Sequence, residues 1–129
     1  MMESNKRQTV FKGVKIELLA PDLLRFEIEN NVAVDLEMAK DLYHLGNSLS
    51  ETHPYKVLTV FNRNFFPSAE AMNFMAGDSR SGKVLAEAFC INSASLKLIS
   101  NFYFRIKKPI VTSKVFDNEK MALRWLNKF

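Results

Sequence analysis

The sequence has little cysteine, histidine or glycine, and each scarcity excludes a kind of site. Cysteine occurs once, as Cys90, so no intramolecular disulfide can form. Cys90 lies in the apolar run 85–91, where a thiol is typically a small buried hydrophobe and not a nucleophile. The two histidines, His44 and His53, stand at neither metal-ligand nor catalytic-triad spacing, and the four glycines form no phosphate-binding loop. We therefore expect neither a metal site nor a cofactor.

Long apolar runs are absent as well. No stretch approaches the roughly 20 residues of a membrane span, and the polar segment 1–8 lacks the apolar core of a signal peptide. Hydrophobic residues at 47% and charged residues at 25% are the proportions of an ordinary globular domain. We expect a cytoplasmic protein in which residues 1–8 form a flexible tail and residues 9–129 form one domain.

The net charge of +4 is unevenly distributed along the chain. Residues 1–90 carry 10 basic and 12 acidic side chains, whereas residues 91–129 carry 8 and 2. A basic segment of this kind faces nucleic acid, anionic lipid or an acidic partner in some proteins. The nearest approach to a cluster is Arg105, Lys107 and Lys108, which complement the dipole at the end of a predicted helix. We therefore predict a solvated basic face and no nucleic-acid partner.

Hydrophobic periodicity predicts the order β-β-α-β-α-β-α-β-α. The predicted strands are 10–18, 24–28, 56–61, 84–91 and 110–116, and the predicted helices are 35–50, 69–76, 94–106 and one after Asp117. The nearly continuous apolar run 56–61 is typical of a central strand that is covered on both faces. Alternating strands and helices favour an α/β fold whose sheet is largely parallel, with the opening β-hairpin as an antiparallel edge.

The predicted helices begin at polar side chains that accept backbone N–H groups. Asp35, Ser68 and Asp117 are the predicted N-caps of the first, second and last helices. Phe116 and Met121 stand at the positions of a hydrophobic staple around Asp117. The buried stripe predicted for that last helix comprises Ala122, Trp125, Leu126 and Phe129.

The C-terminal half of the chain resembles a known family. The strand 114–116 ends in Phe116, the acidic Asp117 follows, and an Ala-Leu-x-Trp-Leu signature occupies 122–126. This pattern, within a match over about residues 84–126, is similar to the close of SpoIIAA-like (STAS-like) domains. The resemblance implies a STAS-like mixed β-sheet with helices packed on it. It also implies a non-catalytic module that binds protein or small-molecule partners, as in bacterial signalling.

The resemblance singles out Ser68 as a candidate phosphorylation site. In anti-sigma-factor antagonists of the family, a phosphorylatable serine follows the third strand at a helix N-terminus, and Ser68 occupies the similar place. Free N–H groups and the helix dipole favour a phosphate at that position. The alternative is that Ser68 only caps the helix, a contribution of about 1 kcal/mol. Pro67 precedes Ser68 where the antagonists carry aspartate.

The loop before Ser68 is the predicted binding surface. Arg63, Asn64, Phe65 and Phe66 follow the carboxyl end of a strand, where open α/β sheets bind ligands and where exposed aromatics suit a partner. The alternative is that both phenylalanines fold back onto the core. Two functions stay open: a protein-interaction module, with a homodimer also expected, and a site for a small apolar or lipid-like ligand between helices and sheet. We expect no enzyme, because no nucleophile, base and orienting group stand together.

Overall fold

Six strands form one mixed sheet in the computed structural model, which describes residues 8–29, 32–61, 67–80, 82–91 and 109–129 with Lys97 and Asn101. The strands are β1 (Gln8–Phe11), β2 (Val14–Ala20), β3 (Leu23–Ile28), β4 (Tyr55–Phe61), β5 (Val84–Ile91) and β6 (Thr112–Phe116). They lie side by side in chain order; β1 to β3 pair antiparallel, and β3 to β6 pair parallel. The predicted α/β class and the mixed sheet are confirmed.

Three helices are described in full: α1 (Leu36–Leu49), α2 (Ala69–Ala76) and α3 (Glu119–Leu126). Each of α1 and α2 connects two parallel strands, as a parallel pair requires. Lys97 and Asn101 are also helical, in agreement with the predicted helix 94–106. The other residues of that predicted helix lie outside the described residues.

The first predicted strand, 10–18, is two strands in the structure. Lys12 and Gly13 form a tight turn between β1 and β2, and both have positive φ angles, 50° and 84°. Positive φ at both central residues matches the twist of a two-residue hairpin, which explains the glycine. Gln8, the last residue of the predicted tail, pairs with Glu17; residues 1–7 lie outside the described residues, so the tail stays a prediction.

The sheet has two covered faces because successive side chains of a strand point to opposite sides. Helices α1 and α2 pack on one face, whose buried residues include Phe26, Ile28, Val57, Phe61, Phe89, Met38, Ala39, Leu42 and Ala71. Helix α3 packs on the other face, whose buried residues include Leu23, Leu58, Val60, Ala86, Ala88, Cys90, Ala122 and Leu126. Every residue of β4 is buried, so the predicted central strand is confirmed.

The N-caps of α1 and α2 are confirmed, and that of α3 is one residue further along than predicted. Asp35 Oδ1 accepts the N–H of Met38 at 2.9 Å, and Ser68 Oγ accepts the N–H of Ala71 at 3.1 Å. In α3 the cap is Asn118, the residue after Asp117. Aspartate and asparagine are equally good caps, so composition alone does not separate two adjacent candidates.

Three other predictions about the C-terminal segment also need correction. Met121 is 48% exposed, so the predicted hydrophobic staple with Phe116 is wrong. Of the predicted buried stripe, Phe129 lies beyond the end of α3 and is 44% exposed, whereas Trp125 is half-buried against Phe116 with ring centroids 5.8 Å apart. The strand predicted to begin at residue 110 begins at Thr112, the first residue to pair with β5.

The observed cap of α3 leads to a test that separates the two adjacent residues. Asn118 Oδ1 accepts the N–H of Met121 at 3.1 Å, whereas Asp117 Oδ2 lies 3.3 Å from Lys97 Nζ in an exposed ion pair. We expect Asn118→Ala to lower the free energy of unfolding by about 1 kcal/mol. The matched variant Asp117→Ala should lower it by about 0.5 kcal/mol or less. Urea unfolding measures both, and a larger loss for Asp117→Ala would contradict this assignment.

Candidate functional site

A cavity of about 40 Å³ lies between α1, α2 and the sheet. Its apolar lining comprises Phe26, Ile28, Val34, Ala39, Leu42, Val57, Phe61, Pro67, Met75 and Val84, and its polar lining comprises Tyr43, Tyr55, Thr59, Arg80 and Glu87. One water needs roughly 10–15 Å³, and an apolar cavity that binds benzene measures about 150 Å³. The cavity therefore has room for a very small molecule as it stands.

A buried ion pair forms the polar wall of the cavity. Arg80 follows α2 and is 6% exposed, and Glu87 lies in β5 and is 3% exposed. Arg80 Nη2 donates to Glu87 Oε1 at 2.6 Å and to the carbonyl oxygen of Met75 at 2.9 Å. Thr59 Oγ1, from β4, donates to Glu87 Oε2 at 3.1 Å. Both carboxylate oxygens therefore accept hydrogen bonds inside the protein.

Sequence reasoning missed this pair, although its members were visible in the sequence. Glu87 is the single charged residue in the apolar run 84–91, and Arg80 lies in the polar segment 78–83. A charged residue inside a buried strand needs a partner, because an unpaired buried charge is very costly. That rule signals that Glu87 is paired, but nothing in the sequence identifies Arg80 as the partner.

The Nε of Arg80 is buried without a hydrogen-bond partner among the described residues. Arg25 provides a comparison in the same molecule, because its Nε and Nη2 donate to the two oxygens of Glu119 at 3.0 and 2.9 Å. In Arg80, Nη2 donates a hydrogen bond to Glu87, whereas Nε has no acceptor among the described residues. A buried donor left unpaired costs about 1–3 kcal/mol, so it is an unusual feature that calls for an acceptor.

Two tyrosines that line the cavity, Tyr43 and Tyr55, connect the elements around the Arg80–Glu87 pair by hydrogen bonds. Tyr43 OH, on α1, donates to the carbonyl oxygen of Ser79 at 3.3 Å and so holds the segment that carries Arg80. Tyr55 OH donates to Asn47 Oδ1 at 2.6 Å, which ties β4 to α1. Burial raises the pKa of Tyr55 above its ordinary value, so this phenol stays protonated and acts as a donor.

A larger hollow of about 350 Å³ lies over β1 to β3, and charged side chains line it. Arg25 donates to Glu27 Oε1 at 2.9 Å in addition to Glu119, and hydrogen bonding to Glu119 raises its pKa above the ordinary value. Among the described residues that line this hollow, no buried side-chain donor or acceptor lacks a hydrogen-bond partner, in contrast to the Nε of Arg80. The smaller cavity is therefore the better candidate site.

Ser68 directly follows Pro67, a residue that lines the cavity. Its side chain caps α2, as one of the two interpretations of the sequence expected, and its N–H donates to the carbonyl oxygen of Val34 at 3.0 Å. Val34 and Pro67 both line the cavity. Arg63, Asn64, Phe65 and Phe66 lie outside the described residues, so their role in binding stays a prediction.

The remaining chemically reactive side chains lie apart from the cavity. His44 is exposed on α1, and His53 Nε2 lies 3.3 Å from Ser50 Oγ in a turn before β4. Cys90 is buried on the face covered by α3, as expected, and burial raises its pKa to about 11. Within the described ranges no three His, Cys, Asp or Glu side chains are grouped to hold a metal ion.

Residues 17–129 match the family described as "Domain of unknown function (DUF7793)", and the chain belongs to that family. The structure is similar to the crystal structure of an uncharacterized protein of the DUF3478 family with a SpoIIAA-like fold, from Shewanella loihica PV-4. The two chains are 16% identical with a TM-score of 0.57, over 92% of this chain and 97% of the other. No curated protein matches the sequence. The SpoIIAA-like fold predicted from the C-terminal signature is therefore confirmed.

For the described part of the chain, no helix combines the length and the apolar character needed to cross a membrane.

The buried pair predicts a strongly non-additive double variant. Arg80→Met should lower the free energy of unfolding by about 3–5 kcal/mol, because Glu87 is then buried without a counter-charge. The double variant Arg80→Met/Glu87→Met should lose less than either single variant, since no charge is left buried. Arg25→Met, at a more exposed pair, is the matched control and should cost about 1 kcal/mol or less. Urea unfolding of these three variants and of Glu87→Met measures the losses, and additive losses in the double variant would show that the pair is not coupled.

Proposed function

We propose that this chain is a non-catalytic binding module that holds a small ligand in the cavity between α1, α2 and the sheet. The observation that carries the proposal is the buried Arg80–Glu87 pair in a lining that is mainly apolar. An apolar pocket with a few convergent polar groups is the usual composition of a ligand site. The apolar wall supplies affinity through burial, and the polar pair fixes the orientation of the ligand.

The partners of the polar lining support a binding role over a catalytic one. The hydroxyl of Thr59 donates to Glu87, the phenol of Tyr55 donates to Asn47, and that of Tyr43 donates to Ser79. Glu87 accepts hydrogen bonds at both oxygens. Catalysis by a hydroxyl nucleophile needs a base that is free to take its proton. In this lining the groups position one another, which suits recognition of a ligand.

The size of the cavity restricts the ligand or requires the helices to adjust. A volume of about 40 Å³ admits a molecule smaller than benzene without rearrangement. Met75, at the end of α2, is unbranched and adapts its side chain to the shape of a neighbour. A larger apolar ligand therefore enters by displacing Met75 and α2 from the sheet, and it gains affinity from the additional buried surface.

Narrowing the cavity tests this proposal directly. Ala39, on α1, lines the cavity, whereas Ala69 at the start of α2 is exposed. We expect native mass spectrometry of the chain from its natural source to show a non-covalent small-molecule adduct that denaturation removes. Ala39→Val should reduce its occupancy about tenfold by overpacking, and Ala69→Val should leave it unchanged.

Two results would contradict the ligand-binding proposal. One is that the native chain carries no adduct even after incubation with a lipophilic extract of its source. The other is that Ala39→Val and Ala69→Val carry the adduct equally. Thermal unfolding of both variants identifies a fold defect, which would appear as a lower melting temperature for Ala39→Val alone.

A second candidate function is a cytoplasmic protein-interaction module, homodimeric or with another protein, that is regulated at Ser68. The observation that favours it is the position of Ser68, which caps α2 while its N–H binds Val34, the residue before the N-cap Asp35 of α1. A phosphate at Ser68 would add about −1.5 to −2 charges where two helices begin. The phosphate would alter the N-terminal caps of α1 and α2 together, and it would change the surface presented to a partner.

Separating the cap from the phosphate tests this second candidate. Ser68→Asn keeps a good N-cap and removes the phosphate acceptor, whereas Ser68→Ala removes both. We expect the native chain to carry a phosphatase-sensitive mass increment at Ser68 that is lost in both variants. Only Ser68→Ala should lower the free energy of unfolding, by about 1 kcal/mol. An unmodified Ser68 in the native chain would leave only its capping role.

A further inference from the structure

We infer that the ligand of the cavity is an electrically neutral molecule that presents a hydrogen-bond acceptor, such as a carbonyl oxygen, to Nε of Arg80. This inference rests on the proposed function, because it specifies the chemistry of the molecule that the cavity binds. Three observations carry it: the unpaired Nε, the charge balance of the pair and the mainly apolar character of the remaining wall.

The unpaired Nε indicates which kind of group the ligand presents. A guanidinium has five N–H donors and no acceptor, so the free N–H of Arg80 Nε can be satisfied only by a hydrogen-bond acceptor. Its Nη2 already donates to Glu87 and to the carbonyl of Met75. Arg25 engages both Nε and Nη2, which shows that such a fork is filled elsewhere in this protein when acceptors are present. An acceptor within the cavity is the group that Arg80 lacks.

The charge balance indicates that the acceptor is neutral. Arg80 and Glu87 carry one charge of each sign and lie 2.6 Å apart, so the pair has no net charge. An anionic ligand would bring a second negative charge beside Glu87 into a region where both side chains are at least nine-tenths buried. Burial of an unbalanced charge is strongly unfavourable. A neutral oxygen gains the hydrogen bond without that cost.

Three small molecules of nearly the same branched shape test the inference: acetone, isobutene and acetate. Acetone presents a neutral acceptor, isobutene presents none, and acetate presents a charged one. Each is titrated into the full chain labelled with ¹⁵N-arginine and ¹³C-methyl valine. The Nε–Hε signal of Arg80 reports the hydrogen bond, and the methyls of Val57 and Val84 report occupancy of the cavity. The Arg25 signal is the internal control, because its Nε already donates to Glu119.

We expect acetone to shift the Arg80 Nε–Hε signal and to bind about tenfold more tightly than isobutene, which should shift only the methyls. Acetate should bind more weakly than either. Glu87→Gln should reverse the order of acetone and acetate, because Arg80 then has no counter-charge while the side chain at position 87 keeps its size. Isobutene should bind both proteins equally, which shows that the cavity is intact in the variant.

The outcomes separate this inference from the proposed function. Equal binding of acetone and isobutene with an unmoved Nε signal would overturn the acceptor and leave the apolar site, with a buried water as the partner of Nε. Tighter binding of acetate than acetone to the unmodified chain would overturn the neutral ligand. Methyls of Val57 and Val84 that respond to none of the three probes would overturn the cavity site itself, and the proposed function with it.

Discussion

The burial of β4 on both faces is the constraint from which the rest of the structure follows. All seven residues from Tyr55 to Phe61 are buried, so no polar side chain of this strand can rely on water. The Nζ of Lys56 lies 3.6 Å from Asp22 Oδ2 in an ion pair. The hydroxyl of Thr59 donates a hydrogen bond to Glu87 in the interior. Glu87 in turn requires Arg80. The polar wall of the cavity is therefore a consequence of how the central strand is covered.

The Arg80–Glu87 pair contributes little to stability, although both side chains are buried in the core. The attraction between two buried charges offsets their lost hydration only when the geometry is excellent and the remaining donors have acceptors. Among the described residues, the Nε of Arg80 has no acceptor. Well-packed hydrophobic residues of similar volume would make an equally stable core. The proposed ligand, by accepting a hydrogen bond from Nε, would give the pair a function that apolar residues cannot replace, and this is the strongest structural reason to propose the site here.

Local sequence patterns were sufficient for most of the fold, because strands, caps and buried runs are encoded over a few residues. The caps at Asp35 and Ser68, the covered strand β4 and the buried Cys90 were all predictable in this way. The hairpin turn at Lys12 was missed because apolar residues continue on both sides of it. A ligand site between helices and sheet was one of the two functions that the sequence left open, but its lining residues were not identified. They come from segments far apart in the chain, and only the unusual Glu87 gave a local signal.

The two candidate functions share one part of the molecule and are physically linked. Val34 and Pro67 line the cavity, and each directly precedes the N-cap of a helix, Asp35 or Ser68. The N–H of Ser68 joins these two helix starts through the carbonyl of Val34. In the two proposed functions, a ligand that displaced α2 from the sheet would also displace Ser68, and a phosphate or a partner at Ser68 would act on the cavity wall. Because coupling between two binding events is reciprocal, any effect of the ligand on a partner implies an equal effect of the partner on the ligand.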